Sequence, residues 1–432
     1  MKKRILMAIL LIAWIIPQMS LAGDKISGQG LKQDKPGVSV FNQGRYFKVI
    51  LDYTAGLTPR QIGEALGAAI LKAVPDYEEL IDSYITQTIT SYQYPEILFR
   101  VADLKVNLEQ DYQDEIEGIA AKFSGGAKNI RGDGKISRDE FYLFNLYPDV
   151  VRGSQCNYIA VFGGRSATGK TMLARTLDWY GGGHNQLPRI QAVTIFKYQF
   201  NQVCSIGYLG YHGILSGFNK RKIFAAILDS TTGAPFSAVG KRSYPFDLRY
   251  ALEHKTTLAD VAAFMLNPRH FYTVNHIVAL ADPIESKIVE NNFSGRRSTR
   301  QQVRRALRSD HSRLHKGITW GFTNAIAAVN SFLLYGNTNN HTPNKFNTKR
   351  WENVKTQLAS KGAVVTLDEL KEVAAFNHGS PGTFLDSGDL YNKTTLHIVI
   401  FQPDSLSLQV FFHPRHTRQS PKKPVFEDVQ TF

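Results

Sequence analysis

Cysteine is scarce in this 432-residue sequence, which contains only Cys156 and Cys204. Two cysteines exclude a scaffold held together by many disulfides and allow at most one bridge. The 12 histidines show neither an H-E-x-x-H motif nor any other close ligand spacing. The sequence therefore predicts no metal site and no cofactor.

Long apolar runs are missing beyond the amino terminus. There, the basic residues 2–4 precede an apolar run over residues 5–16, and residues 20–22 place small side chains at a cleavage position. The run is shorter than the roughly 20 residues that a membrane-spanning helix needs. Residues 1–22 are therefore predicted to be a secretory signal peptide, and the mature protein is expected to be periplasmic or secreted.

Acidic side chains are outnumbered, because 51 Lys and Arg residues face 37 Asp and Glu residues and give a net charge of +14. Much of the excess lies in the arginine-rich residues 296–316, which contain no aromatic residue. Nucleic-acid platforms combine basic with aromatic side chains, so no nucleic-acid partner is predicted. The run is interpreted either as a solvated excursion between two strands or as a surface for peripheral contact with an anionic membrane or an acidic ligand.

The first part of the chain, residues 23–155, is predicted to be rich in helices after a poorly specified lead-in. Thr58, Pro59 and Gln61 form an N-cap, a proline at the first helical position and a capping-box partner. Further helical patterns cover residues 77–91 and 97–122, and another helix is expected after Ser137.

The pattern changes at Cys156, where short apolar runs separated by glycine-rich turns begin. Such runs predict strands, interpreted as an antiparallel meander that continues to about residue 230. The predicted strands are 158–162, 172–177, 192–198, 203–208, 223–228, 274–281, 286–290, 394–401 and 406–412, and the predicted helices are 245–253, 257–266, 349–358 and 367–375. Strands with helices packed outside them indicate a layered α+β domain.

The first hairpin carries the most chemical information, because folding residues 172–179 back on the strand that begins at Cys156 brings Arg175 and Asp178 near its thiol. A cysteine at a chain terminus can use its own α-amine, with a pKa near 8, as the base for its thiol. Two alternatives stay open: a surface ion pair between Arg175 and Asp178, and a disulfide to Cys204, which otherwise is a small core residue.

Cys156 together with the later Arg175-Thr176-Leu177-Asp178-Trp179 resembles the nucleophile and Arg-Asn-Leu-Asp-Trp signature of the N-terminal-nucleophile (Ntn) hydrolases. Within them the chain is similar to the branch of acid ceramidase, N-acylethanolamine acid amidase, choloylglycine hydrolase and acyl-coenzyme A:6-aminopenicillanate acyltransferase. Shorter segments agree in order over residues 110–415: Gly217-Phe218-Asn219, the helix start at Pro245, Thr323-Asn324, the segment around Arg350, and Asp389-Leu390-Tyr391-Asn392 before the last hairpin.

The resemblance implies a four-layer αββα Ntn-hydrolase sandwich, with residues 23–155 as a helical pro-region that becomes an α chain and residues 156–432 as the β chain. It also implies self-cleavage between Gln155 and Cys156. The expected activity is hydrolysis, or acyl transfer, at a non-peptide linear amide such as an N-acyl small molecule or a lipid amide.

The resemblance also implies roles for individual residues. Cys156 is expected to be the nucleophile, with Arg175 and Asp178 around its thiol and amine. Asn324 and a backbone N–H near Asp229 are expected to stabilise the oxyanion. Arg350 is also expected to be a site residue, because the segment 347–351 resembles a segment of the family.

A competing motif is the phosphate-loop pattern G-x-x-x-x-G-K-[ST], which residues 164–171 match in full. It predicts a nucleotide-binding protein only if a helix follows at once, because the helix N-terminus holds the phosphate. The segment 172–177 is brief and ends at Asp178 before three glycines. The acidic partner motif at residues 364–369 is better explained by a capping box between Thr366 and Glu369.

Two further alternatives concern binding. Residues 129–140 resemble a calcium loop, although Arg131 occupies a position where a ligand belongs, and a turn leading into a helix is the preferred interpretation. His212 and His276 are interpreted as strand residues rather than bases. A non-catalytic exported protein that binds acidic ligands, with Cys156 structural, is the other functional hypothesis.

Overall fold

The computed structural model describes residues 37–151, 155–230, 232, 237–293, 304–382 and 388–432. The predicted signal peptide, residues 1–22, lies outside the described residues, as do residues 296–303 of the basic run. Within the described part of the chain, no helix combines the length and apolar character that crossing a membrane requires.

The described residues before 155 begin with two strands and continue with helices. The strands are β1 (Val38–Asn42) and β2 (Phe47–Asp52). The helices are α1 (Pro59–Ala73), α2 (Tyr77–Thr88), α3 (Tyr94–Lys105), α4 (Gln110–Ala120), α5 (Arg138–Asn145) and α6 (Tyr147–Val150). The capping box predicted at Thr58 is present, since the Thr58 side chain accepts from the Gln61 N–H and the Gln61 side chain accepts from the Thr58 N–H.

The second part of the chain contains the remaining strands and helices. The strands are β3 (Gln155–Val161), β4 (Met172–Asp178), β5 (Gln191–Lys197), β6 (Gln202–Tyr208), β7 (Ser216–Asn219), β8 (Phe224–Asp229), β9 (His276–Ala281), β10 (Ser286–Asn292), β11 (Arg304–Arg308), β12 (Ala325–Val329), β13 (Thr395–Gln402), β14 (Ser407–Phe412) and β15 (Glu427–Asp428). The helices are α7 (Gln186–Arg189), α8 (Tyr244–His254), α9 (Leu258–Met265), α10 (Lys345–Ala359) and α11 (Leu367–Ala374).

The strands form two sheets. One has nine strands in the order β1-β2-β5-β6-β7-β8-β9-β10-β11, and the other has six in the order β12-β3-β4-β13-β14-β15. Strands β2 and β5 pair in parallel, and the other pairs are antiparallel. The predicted single meander is therefore wrong in one respect, because the β3–β4 hairpin lies in the six-stranded sheet and the meander from β5 to β10 lies in the other.

The two sheets pack face to face with helices outside them. Between the sheets, the ring of Phe218 stacks on that of Phe401 at 4.1 Å, and Tyr158 lies over Phe224 at 6.3 Å. Helices α8 and α9 contact the outer face of the nine-stranded sheet. Helices α10 and α11 cover the six-stranded sheet, and Trp351 of α10 packs in the apolar cluster between these helices and that sheet. The predicted four-layer αββα order is therefore confirmed.

The part before residue 155, which was predicted to be rich in helices, also contains two strands that were not predicted. Strands β1 and β2 extend the nine-stranded sheet, with Phe47 opposite Ala192. Sequence reasoning missed both strands because each is short and because β5, which joins β2 to the sheet, lies far along the chain. The predicted helix 97–122 is two helices, since the Asn107 side chain donates to the Asp103 carbonyl as α3 ends.

The two segments that resemble nucleotide-binding motifs do not adopt the structure that nucleotide binding requires. The phosphate-loop pattern is followed directly by strand β4, so residues 164–171 have no helix N-terminus to offer a phosphate. The predicted capping box between Thr366 and Glu369 opens α11. The nucleotide-binding hypothesis is therefore wrong.

The calcium-like loop is closed by protein groups. The backbone N–H groups of Gly132 and Gly134 donate to the two carboxylate oxygens of Asp82, each at 2.7 Å. Arg131 donates to carbonyls at the end of α2, at 2.6 and 2.9 Å. Glu140 accepts from the Ser137 N–H and from the Tyr94 hydroxyl. The loop thus leads into α5, as the preferred interpretation expected.

Residues 304–308, in the described part of the basic run, form a strand, and residues 309–316 follow it outside the named strands and helices. Strand β11 forms the edge of the nine-stranded sheet next to β10. Arg308 is buried, its Nε donates to Glu290 at 3.2 Å and its Nη2 donates to the Ala327 carbonyl at 2.7 Å. This arginine therefore contributes to the interior and not to a basic surface.

Candidate active site

The register of β3 and β4 decides which face carries each side chain. Cys156 is opposite Leu177, and Tyr158 is opposite Arg175. Residues opposite each other or two apart point to one face of a sheet, so Cys156 and Arg175 both face the space between the two sheets. Arg175 Nη2 lies 3.4 Å from Cys156 Sγ and donates to the Ile227 carbonyl at 2.9 Å.

Asp178 is opposite Gln155 and lies on the other face of the sheet, under α10. Arg350 of α10 donates from Nη2 to Asp178 Oδ2 at 2.9 Å and from Nη1 to Gln155 Oε1 at 3.2 Å. The Thr395 hydroxyl donates to the second carboxylate oxygen, Oδ1, at 2.6 Å. The structure therefore brings Arg350 to the site by way of Asp178.

Asn330 completes the site, and sequence reasoning missed it. The Cys156 backbone N–H donates to Asn330 Oδ1 at 2.6 Å, and Arg350 Nη1 donates to the same oxygen at 3.0 Å. Asn330 Nδ2 donates to the Asp229 carbonyl at 2.7 Å. The sequence signal that could have indicated Asn330 is its position directly after an apolar run, which is strand β12. The structure shows that Val329, the last residue of this strand, pairs with Asn157.

Asn324 is not brought to the site, which corrects the prediction. It precedes β12 at the end where Ala325 pairs with Val161, while Cys156 lies beyond the opposite end of that pairing. At about 3.3 Å per residue, the two positions are separated by about 15–20 Å. Asn324 instead takes a left-handed conformation, and its carbonyl accepts from the Phe162 N–H at 2.9 Å.

Asp229 ends strand β8 and lies beside the site through its backbone. Its carbonyl accepts from Asn330, and the next residue, Ser230, donates from its hydroxyl to the Asn275 carbonyl at 2.9 Å. The main chain around Asp229 is thus held against the residue that contacts the Cys156 nitrogen. This is where a backbone N–H donor was expected.

Burial dominates the electrostatics of the site. Burial raises the pKa of the Cys156 thiol, the nearby Arg175 guanidinium opposes that rise, and Asp178 adds to it. Burial also raises the pKa of Asp178, and Arg350 opposes the rise. Each ionised group here therefore depends on an opposite charge, because an unpaired charge in a buried site is strongly disfavoured.

His397 is a second residue that sequence reasoning missed. A register shift between Thr395 and His397 sets Thr395 opposite Asp178 and His397 opposite Leu177, so His397 shares the face of Arg175. His397 Nε2 lies 3.4 Å from Arg175 Nη1. Burial, with Arg175 beside it, lowers the pKa of His397 well below its ordinary value, so the imidazole is neutral.

The other cysteine and the histidines singled out by sequence lie elsewhere. Both cysteines are free thiols, so the disulfide alternative is wrong, and Cys204 is a core residue of β6. His276 lies on β9 as predicted, with Nε2 3.1 Å from Asn291 Nδ2. His212 lies between β6 and β7 rather than in a strand, and its Nδ1 lies 2.6 Å from Glu115 Oε2.

No group of three or more His, Cys, Asp or Glu side chains among the described residues is placed to hold a metal ion. The site that the structure does assemble is a buried thiol whose sulfur faces a guanidinium and whose backbone nitrogen faces an amide oxygen. Fold and site together define an αββα sandwich protein with a cysteine-centred site at the start of an inner strand.

Comparison with known proteins shows likeness at the level of solved structures. No family model matches the sequence, and no curated protein matches it. The chain is similar to an N-acylethanolamine-hydrolyzing acid amidase ortholog from Caenorhabditis elegans, at 14% identity over 57% of this chain and 93% of that chain, with a TM-score of 0.43.

Two other solved structures are similar as well. They are penicillin V acylase from Agrobacterium tumefaciens, at 11% identity over 60% of this chain and 83% of that chain with a TM-score of 0.37, and a mutant conjugated bile acid hydrolase from Clostridium perfringens, at 12% identity over 64% and 97% with a TM-score of 0.34. These are the kinds of protein that the motif around Cys156 resembles. Identities and TM-scores this low assign no activity to this chain.

Proposed function

We propose that this protein is an exported cysteine amidase that activates itself by cutting the bond between Gln155 and Cys156. Its substrate is a non-peptide linear amide, such as an N-acyl small molecule or a lipid amide. One observation carries the proposal: the sulfur and the backbone nitrogen of Cys156 each have a polar partner, Arg175 Nη2 at 3.4 Å and Asn330 Oδ1 at 2.6 Å. A single residue is thus equipped to supply both a nucleophile and a base.

Self-cleavage follows as a sequence of bond changes. Cys156 Sγ attacks the carbonyl carbon of Gln155, the C–N bond breaks, and the thiol proton ends on the freed nitrogen. Water then hydrolyses the resulting thioester, which leaves a carboxylate on Gln155 and a free thiol and amine on Cys156. Arg350, which donates to the Gln155 side chain, holds the residue before the bond in place.

Turnover uses the same atoms. The Cys156 amine takes the thiol proton, Arg175 favours the thiolate electrostatically, and the thiolate attacks the amide carbonyl of the substrate. The leaving nitrogen takes the proton from the ammonium group as the thioester forms. Water hydrolyses the thioester to the acid, and an amine in place of water gives acyl transfer.

Asn330 takes the role that sequence reasoning gave to Asn324. Its amide oxygen orients the Cys156 nitrogen, and its amide nitrogen with a backbone N–H beside Asp229 forms the oxyanion donors. Arg350 and Asp178 form a buried ion pair behind this amide. Arg350 is therefore a positioning residue, since it acts on Cys156 through Asn330.

Amino-terminal sequencing and intact-mass measurement of the purified native protein test the proposal without a substrate. We expect two chains, one beginning at Cys156, and fast alkylation of that thiol. Cys156→Ala should remain a single chain across the bond, while the matched control Cys204→Ala should be cut normally. A native protein that is active as one continuous chain would refute the proposal.

The non-catalytic alternative gives different results in the same measurements. An exported protein that only binds acidic ligands or an anionic membrane would stay uncut at Gln155 and would label slowly, because the buried Cys156 thiol would keep its raised pKa without a free α-amine to take its proton. Peripheral membrane contact through the basic run stays a proposal beside the enzymatic one. Sedimentation of the mature protein with anionic vesicles tests it.

A further inference from the structure

Among the described residues, only neutral groups hold the Arg175 guanidinium beside the Cys156 thiol. Its Nη2 donates to the Ile227 carbonyl at 2.9 Å and lies 3.4 Å from Cys156 Sγ, and its Nη1 lies 3.4 Å from His397 Nε2. No carboxylate of the described residues forms a hydrogen bond or an ion pair with this guanidinium. The positive charge of Arg175 is therefore not cancelled by a directly bound anion.

His397 is the acceptor in its contact with Arg175. A guanidinium has donors and no acceptor, so His397 Nε2 accepts from Arg175 Nη1, which places the imidazole proton on Nδ1. Both side chains are fully buried. Burial and the adjacent Arg175 lower the pKa of His397 well below its ordinary value, so the imidazole is neutral while it accepts. His397 thus holds one arm of the guanidinium and adds no charge to the site.

A β-bulge in β13 brings His397 to this position. Residues two apart on a regular strand face the same side of a sheet. The Thr395 hydroxyl, however, donates to Asp178 Oδ1 at 2.6 Å under α10, while His397 contacts Arg175 on the other face. The register shift between Thr395 and His397 accounts for this difference. One bulge therefore supplies a partner to the carboxylate on one face and to the guanidinium on the other.

The neutrality of the residue at position 397 affects the thiolate. Arg175 favours the thiolate only as far as no other nearby anion cancels its positive charge. Asp178 is already paired with Arg350, at 2.9 Å on the other face of the sheet. A carboxylate at position 397 would pair with Arg175 directly and weaken its effect on the sulfur. An apolar side chain there would leave Nη1 without an acceptor in a buried site.

We propose that His397 is a positioning residue for the amidase reaction, whose neutral imidazole fixes the Arg175 guanidinium against Cys156 Sγ and leaves the positive charge available to the thiolate. The inference rests on the proposed function, in which that thiolate attacks the amide carbonyl. No hydrogen bond joins His397 to Cys156 among the described residues, so His397 acts through Arg175.

Three substitutions of His397 test the inference in a Cys204→Ala background, where Cys156 is the single thiol. His397→Gln keeps a neutral acceptor, His397→Leu removes the acceptor, and His397→Glu introduces a carboxylate. The rate of iodoacetamide labelling against pH gives the ionisation midpoint of Cys156 in each chain. We expect His397→Gln to match the background and His397→Glu to raise the midpoint by about one pH unit or more, with His397→Leu between them.

A double substitution separates positioning of Arg175 from general damage to the fold. Because His397 acts through Arg175, His397→Leu should move the midpoint no further in a chain that already carries Arg175→Met. His413→Gln is the matched control. His413 is also buried, burial likewise lowers its pKa, and it directly follows the neighbouring strand β14. Its substitution should leave the midpoint unchanged.

Two results would overturn the inference and leave the proposed amidase intact. One is an equal midpoint in His397→Glu and His397→Gln. The other is a His397→Leu shift that persists in full beside Arg175→Met, and this comparison decides alone where the glutamate variant does not fold. If instead the Cys204→Ala background stays uncut at Gln155 and its Cys156 labels slowly, the proposed function fails and the inference fails with it.

Discussion

At the scale of single residues, the site is a set of buried charges that depend on one another. Cys156, Arg175, Asp178 and Arg350 are each at most 1% exposed. Removing such groups from water is expensive, and paired partners offset the cost only when both are present. Single substitutions separate two proposed roles: the effect of Arg175 on the ionisation of the thiol and the effect of Asn330 on turnover.

Replacing Arg175 should change the ionisation of the thiol. Arg175 opposes the effect of burial on the Cys156 pKa, so Arg175→Met should move the pH profile of Cys156 alkylation to higher pH. Arg175→Lys keeps the positive charge and should move the profile less. The rate of iodoacetamide labelling against pH measures both. Identical profiles for Arg175→Met and the wild type would contradict this role.

Asn330 and Asn324 offer a direct contrast between structure and sequence reasoning. Asn330→Ala should lower kcat by about 10²–10³, because removal of one oxyanion donor typically has that effect. Asn324→Gly, which tolerates the left-handed backbone at that position, should retain activity. Steady-state kinetics of the two variants check the assignment. The reverse pattern would restore Asn324 as the functional residue.

At the scale of elements, the short helix α6 holds the segment that leads to the proposed cleavage point. Asp149 accepts from the Ser243 hydroxyl at 2.6 Å and from the Tyr244 N–H at 3.2 Å, at the start of α8. The Thr273 hydroxyl donates to the Asp149 carbonyl at 2.7 Å. These contacts tie the residues just before the proposed cleavage point to the part of the chain that follows it.

Asp149 should make stability depend on pH. Burial raises its pKa from 3.8 to about 8, with Asp247 adding to the rise and the Ser243, Tyr244 and Arg100 partners opposing it. A raised folded-state pKa means that this contribution is complete below about pH 4 and is lost as pH rises through about 8.

The uncut Cys156→Ala precursor should therefore become less stable between pH 5 and 8. Adding Asp149→Asn should flatten that dependence, since an amide does not titrate. Thermal midpoints at a series of pH values measure the difference. An equal slope with and without Asp149→Asn would contradict the prediction.

At the scale of the whole molecule, the parts before and after residue 155 share one interior. Glu115 of α4 accepts from Arg249 of α8 at 2.6 and 2.8 Å, and all of these groups are buried. Burial opposes ionisation of Glu115, but Arg249 and His212 lower its pKa to about 2. Its stabilising contribution is therefore present above about pH 4.5 and is lost only as pH falls through about 2.

The proposed cleavage should consequently leave the two chains together. We expect them to co-elute in size-exclusion chromatography at neutral pH. Glu115→Ala leaves Arg249 buried without its carboxylate and should destabilise the protein by about 3–5 kcal/mol. Glu117→Ala is the matched control, because Glu117 pairs with Arg60 within the same part of the chain and at the surface. Equal effects of the two substitutions would argue against the buried pair.

The sequence by itself determined features that depend on near neighbours. The capping boxes at Thr58 and Thr366 are present as predicted, because each involves residues three positions apart. The hairpin that brings Arg175 to Cys156 also follows from local patterns of apolar residues and turns, whereas the four-layer order was implied by the resemblance of the motif around Cys156. These elements need no knowledge of distant partners.

Only the tertiary structure decided which distant residues meet at the thiol. Asn330 reaches the Cys156 nitrogen because β12 pairs with β3, and His397 reaches Arg175 because a bulge shifts the register of β13. The parallel pairing of β2 with β5 likewise joins residues far apart in the chain. Asn324 and Asn330 flank the two ends of β12, and only the pairing of β12 with β3 decides which end lies beside Cys156, so short motifs could place Asn324 at the site when Asn330 is there.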